Sequence, residues 1–200
     1  LLAGVQAVCL IIAEFCIALI VRSGLKCQKI CFKKSKAVIF IKLWKRWRVN
    51  DMSQINIVDG DLLSAKETYI AHQVNCYGKM GRGVAAQIMD KYPDVYRRYQ
   101  NYCEEHCIRD LIGRILLIPT YDGKIICNLF GQEQYGLNRQ HTDMKAISKC
   151  FYELDKIVPH NERIAMPYMI GCGNGGGRWE TIYELIQSNF KKHDVALYKP

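Results

Sequence analysis

Twice along this chain an apolar run stops at a cluster of glycines that opens into a helix-like stretch. The first cluster, Gly78 to Gly83, follows Tyr69 to Val74, and the second, Gly171 to Gly177, follows Arg163 to Met166. Glycine permits positive φ and lets backbone approach a ligand with no Cβ in the way. The N–H groups at a helix start, with the helix dipole, favour phosphate. Ligands of open α/β sheets settle at the carboxyl ends of strands. A single glycine-rich loop reads equally well as a flexible turn. Two in matched positions point to a diphosphate held between them. Neither is a GxxxxGK[ST] loop, and neither carries GxGxxG with a suitably placed downstream acid, which argues against a kinase or a dehydrogenase.

The segments around these loops alternate. Ile55 to Val58, Tyr69 to Val74, Ile112 to Pro119, Lys124 to Phe130, Arg163 to Met166 and Val195 to Tyr198 read as strands. Tyr121-Asp122-Gly123 joins two of them as a hairpin or sheet-edge pair. Val84 to Lys91, a stretch opened by Pro93, Thr142 to Ile157 and Trp179 to Phe190 read as helices, with Thr142 as a cap. Met144, Ile147, Phe151, Leu154 and Ile157 fall on one face of the third helix. The series Tyr92, Tyr96, Tyr99 and Tyr102 has helical spacing and reads as core packing. Strands alternating with helices imply an α/β fold whose sheet is mixed and mostly parallel, with helices on both faces.

Charge divides the chain. Residues 1 to 51 hold ten Lys or Arg against Glu14 and Asp51, whereas the remainder holds 18 basic and 17 acidic residues. The net charge of +9 therefore belongs to the first quarter, and no general nucleic-acid binding is expected of the near-neutral remainder. Leu1 to Val21 is apolar apart from Gln6 and Glu14 and is followed by a basic stretch. Residues 1–51 are thus expected to be a hydrophobic and basic leader outside the domain, and residues 52–200 to be the domain. The leader reads as upstream sequence from an over-extended gene model, with a membrane anchor or a soluble extension as alternatives. A membrane partner is expected only if the leader is genuine, and the domain is expected to be a cytoplasmic monomer. Cys103, His106 and Cys107 could begin a metal site, but no second ligand cluster lies near in sequence, so no metal is expected. The scattered, embedded cysteines read as reduced thiols.

The motifs then become specific in their order. Gly60-Asp61-Leu62, His72-Gln73-Val74-Asn75, Met80-Gly81-Arg82-Gly83-Val84-Ala85, Met166-Pro167-Tyr168-Met169-Ile170-Gly171-Cys172-Gly173 and Trp179 together resemble the macrodomain family. Asn128-Leu129-Phe130-Gly131-Gln132, Tyr135-Gly136 and His141-Thr142-Asp143 are similar to its phage and bacterial branch. That branch in turn resembles terminal ADP-ribose protein glycohydrolase and the yeast-type ADP-ribose 1″-phosphate phosphatase. The resemblance covers about residues 54 to 199 and implies a three-layer α/β/α fold. It also implies a function: binding ADP-ribose or an ADP-ribosylated substrate without a cofactor and hydrolysing a derivative, or alternatively reading ADP-ribose without turnover.

Roles follow from the resemblance position by position. Asp61 matches the acid that takes the adenine amino group, with Leu62 and Leu63 lining that pocket; the alternative for Asp61 is a turn cap. Asn75 matches a polar residue near the distal ribose, against the alternative of a side chain that stabilises its own loop. Gly81, Gly83 and Val84 match the first phosphate loop, and Met169, Ile170, Gly171, Cys172, Gly173, Asn174 and Gly175 the second. Tyr168 or Tyr135 could flank a sugar or the adenine. The glycohydrolase branch uses a lysine nucleophile and a second-loop acid, yet Leu116 to Thr120 has no lysine and Gly175 stands where the acid would fall. The catalytic candidates are therefore His72 and Asn75, then His141 or Asp143 if their loop folds over the site, with Lys79 and Arg178 as partners for a terminal phosphate.

Overall fold

The computed structural model describes residues 53–136 and 139–200, which fall in one compact unit, Arg48–Pro200. The expectations for the leader lie outside the described residues. Among the described residues, no helix is long and apolar enough to cross a membrane.

Six strands, among the described residues, form one sheet: β1 (Ile55–Asp59), β2 (Tyr69–Val74), β3 (Ile115–Pro119), β4 (Ile125–Phe130), β5 (Ile164–Pro167) and β6 (Val195–Lys199), in the order β1-β6-β5-β2-β4-β3. All neighbours run parallel except β3 and β4, which pair antiparallel across the Tyr121-Asp122-Gly123 turn. The sheet is mixed and mostly parallel, as the alternating segments imply.

Strand β2 explains why helices cover both faces. Its side chains alternate between two apolar layers: Ile70 and Val74 belong to one core cluster, Tyr69 and Ala71 to the other. Helices α1 (Gly83–Lys91) and α2 (Pro93–Glu105) cover the first layer with Ile88, Val95 and Tyr99. Helices α4 (Met144–Ile157) and α5 (Trp179–Asn189) cover the second with Ile147, Phe151, Ile182 and Ile186. Each such side chain stabilises the fold by roughly 1.5–3 kcal/mol on burial.

Several local expectations need correction. A four-residue helix, α3 (Ile108–Leu111), precedes β3, so that strand starts at Ile115 and not at Ile112. The cap of α4 is Asp143, whose carboxylate accepts from the N–H groups of Lys145 and Ala146; the Thr142 hydroxyl is committed elsewhere. Ile157 ends α4 half-exposed, off the buried face. Of the tyrosine series, Tyr92 and Tyr99 are buried, but Tyr96 reaches the wall of a cavity.

One consequence of the strand order positions everything that follows. The chain leaves β2 through α1 and α2 toward β3 and β4, on one side of the sheet, and leaves β5 through α5 toward β6, on the other. Because β2 and β5 are neighbours, their carboxyl ends border a crevice where the connections diverge, the usual place for a ligand in an open α/β sheet.

Candidate functional site

A cavity of about 920 Å³ occupies that crevice, at the upper end of the volumes typical of small-molecule sites. The two glycine-rich loops supply most of its wall. The first leaves β2 at Asn75 and enters α1; Gly81, Gly83 and Val84 line the cavity. Gly83 has φ +57°, a left-handed conformation that strongly favours glycine, and a Cβ there would lie 3.8 Å from Asn174 Nδ2 of the second loop. The two loops therefore approach each other at the mouth. The second loop leaves β5 at Tyr168, and Met169 to Gly175 all line the cavity. Met169 has φ +59°, a conformation that costs a non-glycine residue about 1–2 kcal/mol.

Hydrogen-bond donors converge here. The N–H groups of Gly83, Val84 and Ala85 begin a nine-residue helix and have no intrahelical acceptor. Among the described residues, the N–H groups of Gly173, Asn174 and Gly175 likewise make no hydrogen bond within the domain. The cationic side chains of Lys79 and Arg82 line the wall, whereas no Asp or Glu does among the described residues. The electrostatic preference is for an anion bearing more than one charge.

Below these donors the chemistry is sparse. His72, on β2, is 1% exposed; its Nε2 lies 2.8 Å from Asn128 Oδ1, and its Nδ1 has no partner. The Asn128 amide Nδ2 donates to Leu116 O at 3.1 Å, so Oδ1 is the acceptor and His72 carries its hydrogen on Nε2. Burial pushes the His72 imidazole down from 6.5 to about 4, opposed in part by the bond to Asn128. His72 is thus a neutral ring with a bare Nδ1 lone pair. Burial, helped by Glu180, pushes the Cys172 thiol up to about 11, which leaves little thiolate near pH 7.

Asn75 takes the structural alternative. Its Oδ1 accepts from the N–H groups of Tyr77 (2.9 Å) and Lys79 (3.2 Å), its Nδ2 donates to Lys79 O at 2.6 Å, and Tyr99 clasps it through a 2.6 Å bond to its backbone carbonyl. It lines the cavity, and in this structure its carboxamide is engaged in holding the first loop.

Asp61, Leu62 and Leu63 stand outside the cavity wall. Asp61 is exposed and caps a single 3₁₀ turn, accepting from Leu63 N–H and the Ser64 hydroxyl, while Leu62 and Leu63 are buried in the core beside α1. Asp143 caps α4, Arg178 precedes α5, and His141 faces Gly136 outside the cavity; none of the three lines it. Gln132, Tyr135 and Gly136 of the same segment do. Sequence reasoning missed Ala85 and Met89, whose helical spacing reads the same whether a face meets core or cavity. It also missed Gln73, whose signal was a polar side chain inside an otherwise apolar strand.

A Cβ on Gly175 would lie 2.3 Å from Thr142 Oγ1 and 2.5 Å from Gly171 O, so no side chain fits there with the loop in this conformation.

A family model described as Macro domain matches residues 71–186, which span both loops and the sheet between them. The chain belongs to the macrodomain family. Among curated relatives, this macrodomain is 29% identical over 149 residues to the DNA ADP-ribosyl glycohydrolase of Mycobacterium tuberculosis, covering 70% of this chain. The chain spans 41% of that relative's length. It is 35% identical over 115 residues to an ADP-ribose 1″-phosphate phosphatase of Saccharomyces cerevisiae, covering 56% of this chain and 64% of that one. Among solved structures, the macrodomain of Mycobacterium tuberculosis DarG superposes with a TM-score of 0.63 at 28% identity, over 74% of this chain and 99% of that one.

Proposed function

We propose that residues 52–200 bind ADP-ribose, alone or attached to a macromolecule, and hydrolyse an ADP-ribose derivative. The observation that carries this reading is the gathering of two sets of unpaired N–H groups on one crevice with Lys79 and Arg82 and, among the described residues, no carboxylate. A diphosphate answers that arrangement, and the apolar side chains of Val84, Ala85 and Met89 offer a wall for the adenine. The names of the relatives supply two chemistries: release of ADP-ribose from DNA, and removal of the phosphate from ADP-ribose 1″-phosphate.

Within this cavity the base cannot be one of a pair of carboxylates, since none lines it among the described residues. His72 is the remaining candidate. Neutral near pH 7, it takes a proton from the attacking water at Nδ1 once a shift of the loops opens that buried atom to the cavity, and returns it to the departing group, while the unpaired N–H groups hold the phosphates. No cofactor enters this scheme, and the reading needs only one copy of the chain.

A second reading, a reader that binds without turnover, is favoured by one observation: Asn75 is committed to its own loop and position 175 has no room for an acid. Calorimetric titration with ADP-ribose, with AMP and NAD as controls, tests binding. Turnover of ADP-ribose 1″-phosphate and of an ADP-ribosylated oligonucleotide by the wild type and His72→Gln then separates the readings. Selective binding of ADP-ribose with turnover lost in the variant supports the enzyme; selective binding with no turnover in either protein supports the reader. A folded protein that gives no heat with ADP-ribose overturns both.

A further inference from the structure

We infer that Gln73, Gln132 and Thr142 form a half-buried hub that positions the second glycine-rich loop for the diphosphate, an inference that rests on the ADP-ribose reading above. Gln73 projects from β2 beneath that loop. Its Nε2 donates to Gln132 Oε1 at 2.6 Å and to Thr142 Oγ1 at 2.8 Å, and the Thr142 hydroxyl donates to Gly171 O at 2.7 Å. Gln132 and Thr142 face each other across an isolated antiparallel bridge. The backbone N–H groups of His141 and Thr142 both donate to Gly175 O, at 2.8 and 2.9 Å.

The effect is to draw the carbonyls at both ends of the loop inward. Between them, the N–H groups of Gly173, Asn174 and Gly175 are left without acceptors along the cavity. The hub thereby turns donors toward an anion before one arrives, and such pre-orientation spares reorganisation on binding.

Two further observations tie the hub to the loop and not simply to the fold. The loop backbone lies against the hub with no room for a Cβ: one on Gly171 would lie 2.6 Å from Gln73 Oε1, and one on Gly175 would lie 2.9 Å from Gln73 Nε2. Gln73 Oε1 is also buried without a donor. That oxygen is the atom nearest to a Cβ on Gly171, so the carboxamide abuts the loop on this side as well. Gln73, Gln132 and Thr142 are thus positioning residues. The reacting atoms meet the loop, and the loop meets the hub.

Thr142→Val in the full chain is the clean perturbation, since it removes the hydroxyl while keeping the shape. Binding of ADP-ribose is measured by calorimetry and binding of adenosine, which has no phosphate, by amide NMR. Losing the bond to Gly171 O should weaken ADP-ribose binding roughly tenfold and leave adenosine binding within about twofold, and Thr142→Ser should restore the wild-type affinity. Unchanged ADP-ribose affinity in Thr142→Val, or equal losses for both ligands, would overturn the hub while leaving the binding reading intact. A wild-type protein silent to ADP-ribose would instead overturn the binding reading, and the hub's role with it.

Discussion

The buried imidazole of His72 makes the domain sensitive to acid in a way that can be isolated. In the fold its Nε2–H is held by Asn128, its Nδ1 lone pair has no donor, and burial lowers its pKa from 6.5 to about 4. The unfolded chain has no such burial and takes up the proton first as pH falls. The stability tied to the neutral ring is therefore complete above about pH 6.5. It is lost progressively between there and about pH 4, and the loss levels off once the folded form also protonates. A shift of this size corresponds to about 3 kcal/mol, a large fraction of the stability of a domain this small. The assay is urea unfolding of the wild type and of His72→Gln at a series of pH values from about 7 to about 4. A Gln amide can still donate to Asn128 Oδ1 but has no proton to gain in this range. Acidification should cost the wild type about 3 kcal/mol more than the variant, and the difference between the two curves removes the contributions of every other titrating group. Parallel pH profiles would refute the reasoning, as would an NMR titration of the His72 ring with a midpoint near 6.5.

Three other perturbations test the site and its support. Gly83→Glu places bulk and negative charge where the first phosphate should sit; with no heavy atom closer than 3.8 Å to the new Cβ, only the φ of +57° strains the fold, by about 1–2 kcal/mol. Calorimetry should therefore find ADP-ribose binding abolished in a protein that still melts cooperatively. Gly175→Ala forces a methyl group against Thr142 Oγ1 and Gly171 O and should cost about 1–3 kcal/mol in urea melts, with ADP-ribose affinity falling as the second loop shifts. Asp155→Ala acts away from the cavity. It deprives Lys191 N–H, Lys192 N–H and the buried His193 ring of their shared acceptor, and thermal or urea melts should register a loss of about 3 kcal/mol without a change in ligand selectivity.

Much of this was legible because it is dictated locally. β2 reads directly from Tyr69, Ile70, Ala71 and Val74, which give it apolar residues on both faces, and the glycines of the two loops announce conformations that other residues avoid. What stayed hidden depends on distant partners. Thr142 and Asp143 are both short polar residues able to cap a helix, and only the carbonyl of Gly171, nearly thirty residues on in sequence, decides that Thr142 does not. α3 is four residues long, too short for a period to show. Ala85 and Met89 share a helical face with core residues, so nothing in their spacing separates a wall from an interior. The residues given roles by resemblance differ in how they are held. The glycine loops hold their places through backbone, whereas Asp61 and Asn75 have side chains that their own neighbours could claim, and did.

The adjacency of β2 and β5 has a temporal consequence. The first loop belongs to a strand near the start of the domain and the second to a strand near its end, and the two meet only through pairing of residues far apart in sequence. Contacts of such long range form slowly, because the intervening chain must first be brought to order. A nascent chain that stops short of β5 would carry an intact first loop and still have nowhere to hold a diphosphate. The cavity comes into being with the closure of the central strand pair, so a bound ligand draws the equilibrium toward that closure by mass action. On the proposed function, occupancy by ADP-ribose would then serve as a readout of completed folding.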